Sequence, residues 1–335
     1  MKKLNFFLII LTIIVFFDSC AKNENPTPTP PMPVEVFDNV KDVYTCGYEK
    51  QGDHHIATYW KNSVPTNITS SPNDAELNDI CVIGDDVYVC GFENFDGVYT
   101  AKYWKNGVPT ILSSNATATG IIVVGNDVHV CGYSNVGTSS QKALYWKNNA
   151  NNVFVLGDLG SYASAICNQG NDIYISGINN RAAVYWKNNL ETRLGVIATN
   201  ESIFNNSTSI QVVGTDVYSG GEAGGDKAGY WKNLDYISLS SAYSFVTGIE
   251  SIGNDVYTCG VGVIPNSQTP FAIMWKNSQY IPLSGTNSRA TGIKVAVSNA
   301  YVSGFDLFSG NIRVCYWKNG IKYFLGATVG VTEQS

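Results

Sequence analysis

Val87-Tyr88-Val89-Cys90-Gly91 alternates along its length without placing a charged residue on either face. A strand reads this way when both faces of its sheet are covered. The string returns as KDVYTCG from Lys41, DDVYVCG from Asp85, NDVHVCG from Asn126, NDIYISG from Asn171, TDVYSGG from Thr215, NDVYTCG from Asn254 and NAYVSG from Asn299. Around it, apolar stretches separated by Asn, Asp and Gly give four short strands per unit. They are typified by 121–125 (a), 128–132 (b), 143–146 (c) and 153–156 (d).

All seven tryptophans keep step with that string. Trp60, Trp104, Trp146, Trp186, Trp231, Trp275 and Trp317 are spaced 44, 42, 40, 45, 44 and 42 residues apart, and each is followed by Lys-Asn. A four-stranded unit of this length cannot cover its own faces and must stack on its neighbours, which is the arithmetic of a propeller. The expected fold is all-β, a seven-bladed β-propeller with four antiparallel strands per blade over residues 34–335. One Trp per blade would fill one equivalent packing slot. Each Asn would take the left-handed turn from c to d, and each Lys would pair with the Asp opening strand b, except in the seventh repeat, where Asn299 replaces it.

The repeat resembles the kelch-like propellers, DVYVCG matching their YVFGG-type strand. It is more similar to the bacterial, Bacteroidetes-type lipoprotein repeats of the YWKNG kind. That resemblance implies a fold and says little about activity.

The start reads differently. Lys2 and Lys3 precede an apolar run from Leu4 to Phe17, too short to span a bilayer, and Ser19-Cys20 follows. Phe17-Asp18-Ser19-Cys20 resembles a lipoprotein signal, which implies a leader over 1–19, lipidation of Cys20 and an outer-membrane lipoprotein on the periplasmic or cell-surface side; ordinary signal-peptidase cleavage is the alternative. Residues 20–33 would form a lipidated Pro-rich stalk, with PTPTPPMP at 26–33 extending roughly 25 Å. Losing the leader takes the net charge from −6 to −7. No basic stripe remains for nucleic acid.

Chemistry is sparse. The three His have no zinc spacing, no cofactor motif is present, and Cys46, Cys90, Cys131 and Cys259 share a slot that elsewhere holds Ser or Gly, so the slot selects small size. No cofactor and no metal are expected.

Loop lengths point to a working face. From the strand a Ile to the Gly ending strand b the distance is 11 residues in each of repeats two to seven, whereas the b–c and d–a connections vary. A rigid ring with variable loops on one side is how binding surfaces are built. The candidates there are Glu49, Asp53, His54 and His55; Glu93, Phe95, Asp96 and Tyr99; and Glu201, Phe204 and Asn205. Channel candidates are Gln211, Glu250 and Lys294, for which an interblade ion pair is the competing account. The expected function is a non-catalytic module, a monomeric propeller, binding a glycan or an envelope protein through this face. The alternatives are a glycoside hydrolase or lyase using carboxylates such as Asp53, Asp96, Glu222 and Asp306, and a structural subunit of an envelope complex.

Overall fold

The computed structural model describes residues 13–17, 40–194, 205–224, 227–263, 269–285, 287–296, 298–308 and 311–325. Cys20, the Pro-rich segment, residues 34–39 at the start of the expected propeller, and Glu201 and Phe204 lie outside them.

The described chain is an all-β propeller. Antiparallel meanders lie radially with strand a innermost, and successive inner strands touch. The strand Ser288–Ala296 meets Ile13–Phe17, which in turn meets Asp74–Ile83 and completes the circle. Ile13–Phe17, inside the expected leader, fills the inner position of the first sheet by pairing with Val40–Gln51.

Five sheets have four strands each, and one has seven, running from Asn206–Val213 to Gln279–Pro282. The expectation of seven separate four-stranded sheets is corrected at this point. Asp235–Ile252 is a single 18-residue strand that serves as the outer strand of repeat five and the inner strand of repeat six. The physical reason is local: Leu239 to Val246 contains no Gly, Pro, Asn or Asp to turn the chain.

The seven Trp are at most 1% exposed, and each lies across from the same strand b position, as Trp146 lies opposite Val130 and Trp317 opposite Val302. Trp146 packs with Cys90, Ala101 and Leu112 of the preceding repeat, while Trp60 packs with Leu325, Val314 and Tyr316. Each indole therefore fills the gap between neighbouring repeats, and the first repeat seals against the last.

The Lys-Asn dipeptide locks the opposite end of each sheet. Lys147 reaches Asp127 at 2.7 Å, and five more Asp–Lys pairs lie at 2.8 to 3.0 Å. Asn148, at φ 68°, accepts from the Val128 amide at 2.7 Å and donates to Asp127 at 2.8 Å. In repeat seven Asn319 bonds Asn299 instead. The Asn thus does more than tolerate a left-handed turn: its side chain staples the start of strand b to the end of strand c.

Candidate functional site

A break in every inner strand shapes the centre of the ring. In repeats two to seven the register of strand a against strand b slips by one residue, as between Ala290 and Gly292 or Val246 and Gly248. At that bulge, any Cβ on the strand b glycine would collide with a strand a carbonyl oxygen; Gly132 faces that of Thr117 in this way. The close approach accounts for the invariant 11-residue spacing. A bulge also flips the faces of the residues beyond it.

The extra residue at the bulge ties one repeat to the next. Asn78 Nδ2 donates to the Ala118 carbonyl at 2.7 Å, Thr119 Oγ1 to that of Ala163 at 2.9 Å, Thr208 Oγ1 to that of Val246 at 2.7 Å and Thr247 Oγ1 to that of Ala290 at 3.0 Å. Three of these bonds join separate sheets, and the Thr208 bond joins two strands of the seven-stranded sheet, Asn206–Val213 and Asp235–Ile252, that do not pair with each other. They also hold the inner strands around a central cavity of about 980 Å³.

Counting from the repeated strand a Ile, the cavity wall has three tiers. Four residues before it stand Glu76, Thr117, Tyr162, Asn206, Phe245 and Arg289; two before it stand the bulge residues; one after it stand Cys81, Ile122, Cys167, Gln211, Glu250 and Lys294. The first tier belongs to the variable-connection end, where Tyr99 and Tyr133 join it.

That end is aromatic. Phe92 and Tyr99 have ring centroids 5.0 Å apart, Tyr133 and Tyr162 5.9 Å, and Tyr243 and Phe245 6.3 Å, with the Arg289 guanidinium 5.9 Å from the Phe245 centroid. Burial, with the Glu222 carboxylate and Tyr133 adding to it, raises the Tyr162 phenol above its ordinary range. Burial lowers the Arg289 guanidinium.

The third tier is divided. Cys81, Ile122 and Cys167 form an apolar arc. Across from them Lys294 Nζ lies 2.8 Å from Glu250 Oε2, Gln211 Nε2 donates to Glu250 Oε1 at 3.1 Å, and Gln211 Oε1 accepts from the Ser251 amide. The Glu250 charge holds the Lys294 amine above its usual value. The three channel candidates therefore line the cavity and also form the interblade ion pair.

The loop candidates separate. Tyr99 lines the cavity. His55 stands behind it, its Nδ1 2.8 Å from Glu76 Oε1 and its ring stacked 4.0 Å from that of Tyr48. The hydrogen bond to Glu76 raises the His55 pKa. His54 Nδ1 lies 3.4 Å from Asp74, and Glu93 is bound to Lys102 at 2.7 Å. Glu49 is half-buried, opposite Ile56. Asp53 and Asp96 are exposed at hairpin turns, and Phe95 is 67% exposed. Asn205 is buried and spent on the Gly224 amide at 3.0 Å. None of these lines the cavity. Of the carboxylates considered for hydrolysis, Glu222 does; Asp306 is bound by Lys322 and by Ser284 at 3.4 Å.

No protein-family model and no curated protein matches the chain. Solved structures do. An acylaminoacyl peptidase in complex with Z-Gly-Gly-Phe-chloromethyl ketone is similar at TM-score 0.50 and 9% identity, covering 85% of this chain and 51% of that one. The uncomplexed Pyrococcus horikoshii acylaminoacyl peptidase is similar at TM-score 0.50 and 10% identity over the same shares. The β-propeller domain of the Trilobed protease from Pyrococcus furiosus is similar at TM-score 0.49 and 9% identity, with 86% and 95% covered. This chain spans about half the length of the acylaminoacyl peptidase chains, and at such identities the likeness concerns the fold.

Proposed function

We propose that this protein is an outer-membrane lipoprotein, anchored through Cys20, whose propeller is a non-catalytic glycan-binding module; cleavage before Cys20 would remove Ile13–Phe17, and its inner position in the first sheet would pass to the chain near Val34. The observation that carries the reading is the aromatic rim of the central cavity: Tyr99, Tyr133, Tyr162 and Phe245 stand at the variable-connection end beside Glu222 and Asn206. Sugar rings present apolar faces to aromatic planes and hydroxyls to carboxylates and amides, and the cavity has the size and mixed lining of a ligand site. Kinship with the YWKNG-repeat lipoproteins and a monomeric ring belong to the same reading, and the acidic charge argues against nucleic acid.

Seven blades are part of the proposal. The Trp register recurs seven times, and the seven-stranded sheet divides naturally where Asp235–Ile252 stops pairing with Lys227–Lys232 and begins pairing with Asp255–Val263. The protein would then hold seven structural units, two of them fused.

The test is glycan-array binding by the full chain in mild detergent, alongside Tyr133→Ala and Tyr162→Ala variants whose thermal melts match the wild type. Specific sugar signal that both variants lose supports the reading. Signal unchanged in the variants, or none on any glycan, overturns it and directs attention to a protein partner.

A further inference from the structure

Glu222 and Asn206 face each other in register on neighbouring strands, and both line the cavity. Asn206 Oδ1 is buried with no hydrogen-bond partner among the described residues. An orphaned acceptor of this kind destabilises the fold unless something fills it. In ring order Tyr162 is the next first-tier residue on one side of Asn206, and Tyr133 packs against Tyr162 with the ring planes 59° apart. A carboxylate, an unfilled amide oxygen and two aromatic faces thus share one arc.

The charge of the whole cavity points the same way. Its ionisable lining comprises the carboxylates Glu76, Asp79, Glu222 and Glu250 against the bases Arg289 and Lys294. Lys294 is already matched by Glu250. By formal charge alone, four carboxylates to two bases among the described lining residues, the cavity disfavours an anionic guest. A neutral one would leave the Asn206 oxygen to find a hydroxyl. An ammonium group would give one N–H to the carboxylate and another to the amide oxygen while resting against the negative faces of the tyrosines.

Building on the glycan reading, we propose that the Glu222/Asn206/Tyr162/Tyr133 arc is a subsite for a glycan residue bearing a free, protonated amine, a hexosamine without its acetyl group. A lysine side chain carries the same cation but needs only a narrow slot, whereas this cavity, at about 980 Å³, takes several linked rings.

The experiment is calorimetric titration of the full chain in mild detergent with three oligosaccharides of equal length: glucosamine oligomers, their N-acetylated forms, and oligouronates. Oligolysine is the fourth probe. Glucosamine oligomers should bind at least about tenfold more tightly than the acetylated series, with oligouronates weakest, as a charge-assisted bond demands. Glu222→Gln should erase that preference and leave the acetylated series unchanged. Should that variant fold poorly, the wild type suffices: its preference must fade as pH rises past the sugar amine's own pKa while binding of the acetylated series stays flat. Equal or tighter binding of the acetylated series overturns the amine subsite and leaves the glycan module standing. Binding of oligolysine alone overturns the sugar in both readings. Heat from none of the probes overturns the amine subsite, and the glycan module is then judged by its array.

Discussion

Thr119 Oγ1 and the Ala163 carbonyl, 2.9 Å apart, join the inner strands of the third and fourth repeats, whose backbones share no ladder at that point. The bond is buried, and Thr119 owes its inward place to a bulge. Thr119→Val keeps the shape and removes the donor, so it should destabilise the fold by about 1 to 2 kcal/mol. Thermal unfolding would read this as a lowered midpoint. An unchanged midpoint would mean that the clasp is decorative.

Two of the tryptophans make a matched comparison. Trp146 Nε1 donates to Ser113 Oγ at 3.1 Å, whereas Trp186 Nε1 is buried with no partner, and both side chains are fully enclosed. Replacing either by Phe removes similar volume, but only at Trp146 does it remove a bond. Trp146→Phe should cost more than Trp186→Phe by about 1 kcal/mol in denaturant titration. The reverse order would count against the indole bond as a source of stability.

Lys294 gives the cavity an alkaline signature. The Glu250 charge raises its folded pKa above the ordinary lysine value of 10.5. The ion pair therefore contributes fully below that value, and its contribution is lost as pH rises through the higher folded pKa. Lys294→Met should flatten this alkaline limb of the stability curve. The Lys294 side chain is 40% accessible to solvent. Because that solvent screens the pair, Glu250→Gln should cost about 1 kcal/mol, well below the roughly 3 to 5 kcal/mol of a dry pair.

His55 titrates in the opposite part of the range. Its hydrogen bond to Glu76 raises the folded pKa above 6.5, so the stabilisation is complete below 6.5 and disappears as pH climbs through the folded value. An NMR titration of the ring should show a pKa above 6.5 that falls in Glu76→Gln. If the two proteins titrate together, Glu76 is not the cause.

Period and chemistry made the propeller legible. One Trp, one strand b glycine and one Asp–Lys pairing recur, and each has a physical duty that the structure bears out at Trp146, Gly132 and Lys147. The site was only half legible. Variable loop lengths point to hairpins where Asp53 and Phe95 stand exposed, whereas in the aromatic rim Tyr162 and Phe245 lie on inner strands, Tyr133 on a strand b and Tyr99 on a strand c. A usable signal did exist: counting back four from each strand a Ile reaches Tyr162, Phe245 and Arg289. What hid it was the bulge, since an uninterrupted alternation assigns those residues to the wrong face. The fusion of repeats five and six was invisible for another reason, because a missing turn is a weaker mark than a present one.

The continuous strand from Asp235 to Ile252 also bears on how the ring fails. At the other described junctions the strand is interrupted, by Asn115 alone between Val108–Ser114 and Ala116–Val124 and by a longer connection between Val153–Val155 and Tyr162–Gln169, so each sheet can loosen by itself. Across this strand any displacement of one unit is passed rigidly to its neighbour, so the pair should open, exchange its amides and melt as one foldon of about twice the ordinary size. The circle therefore has one joint fewer than its repeats suggest, and its breathing is left to the remaining seams, among them the one where Trp60 meets Leu325.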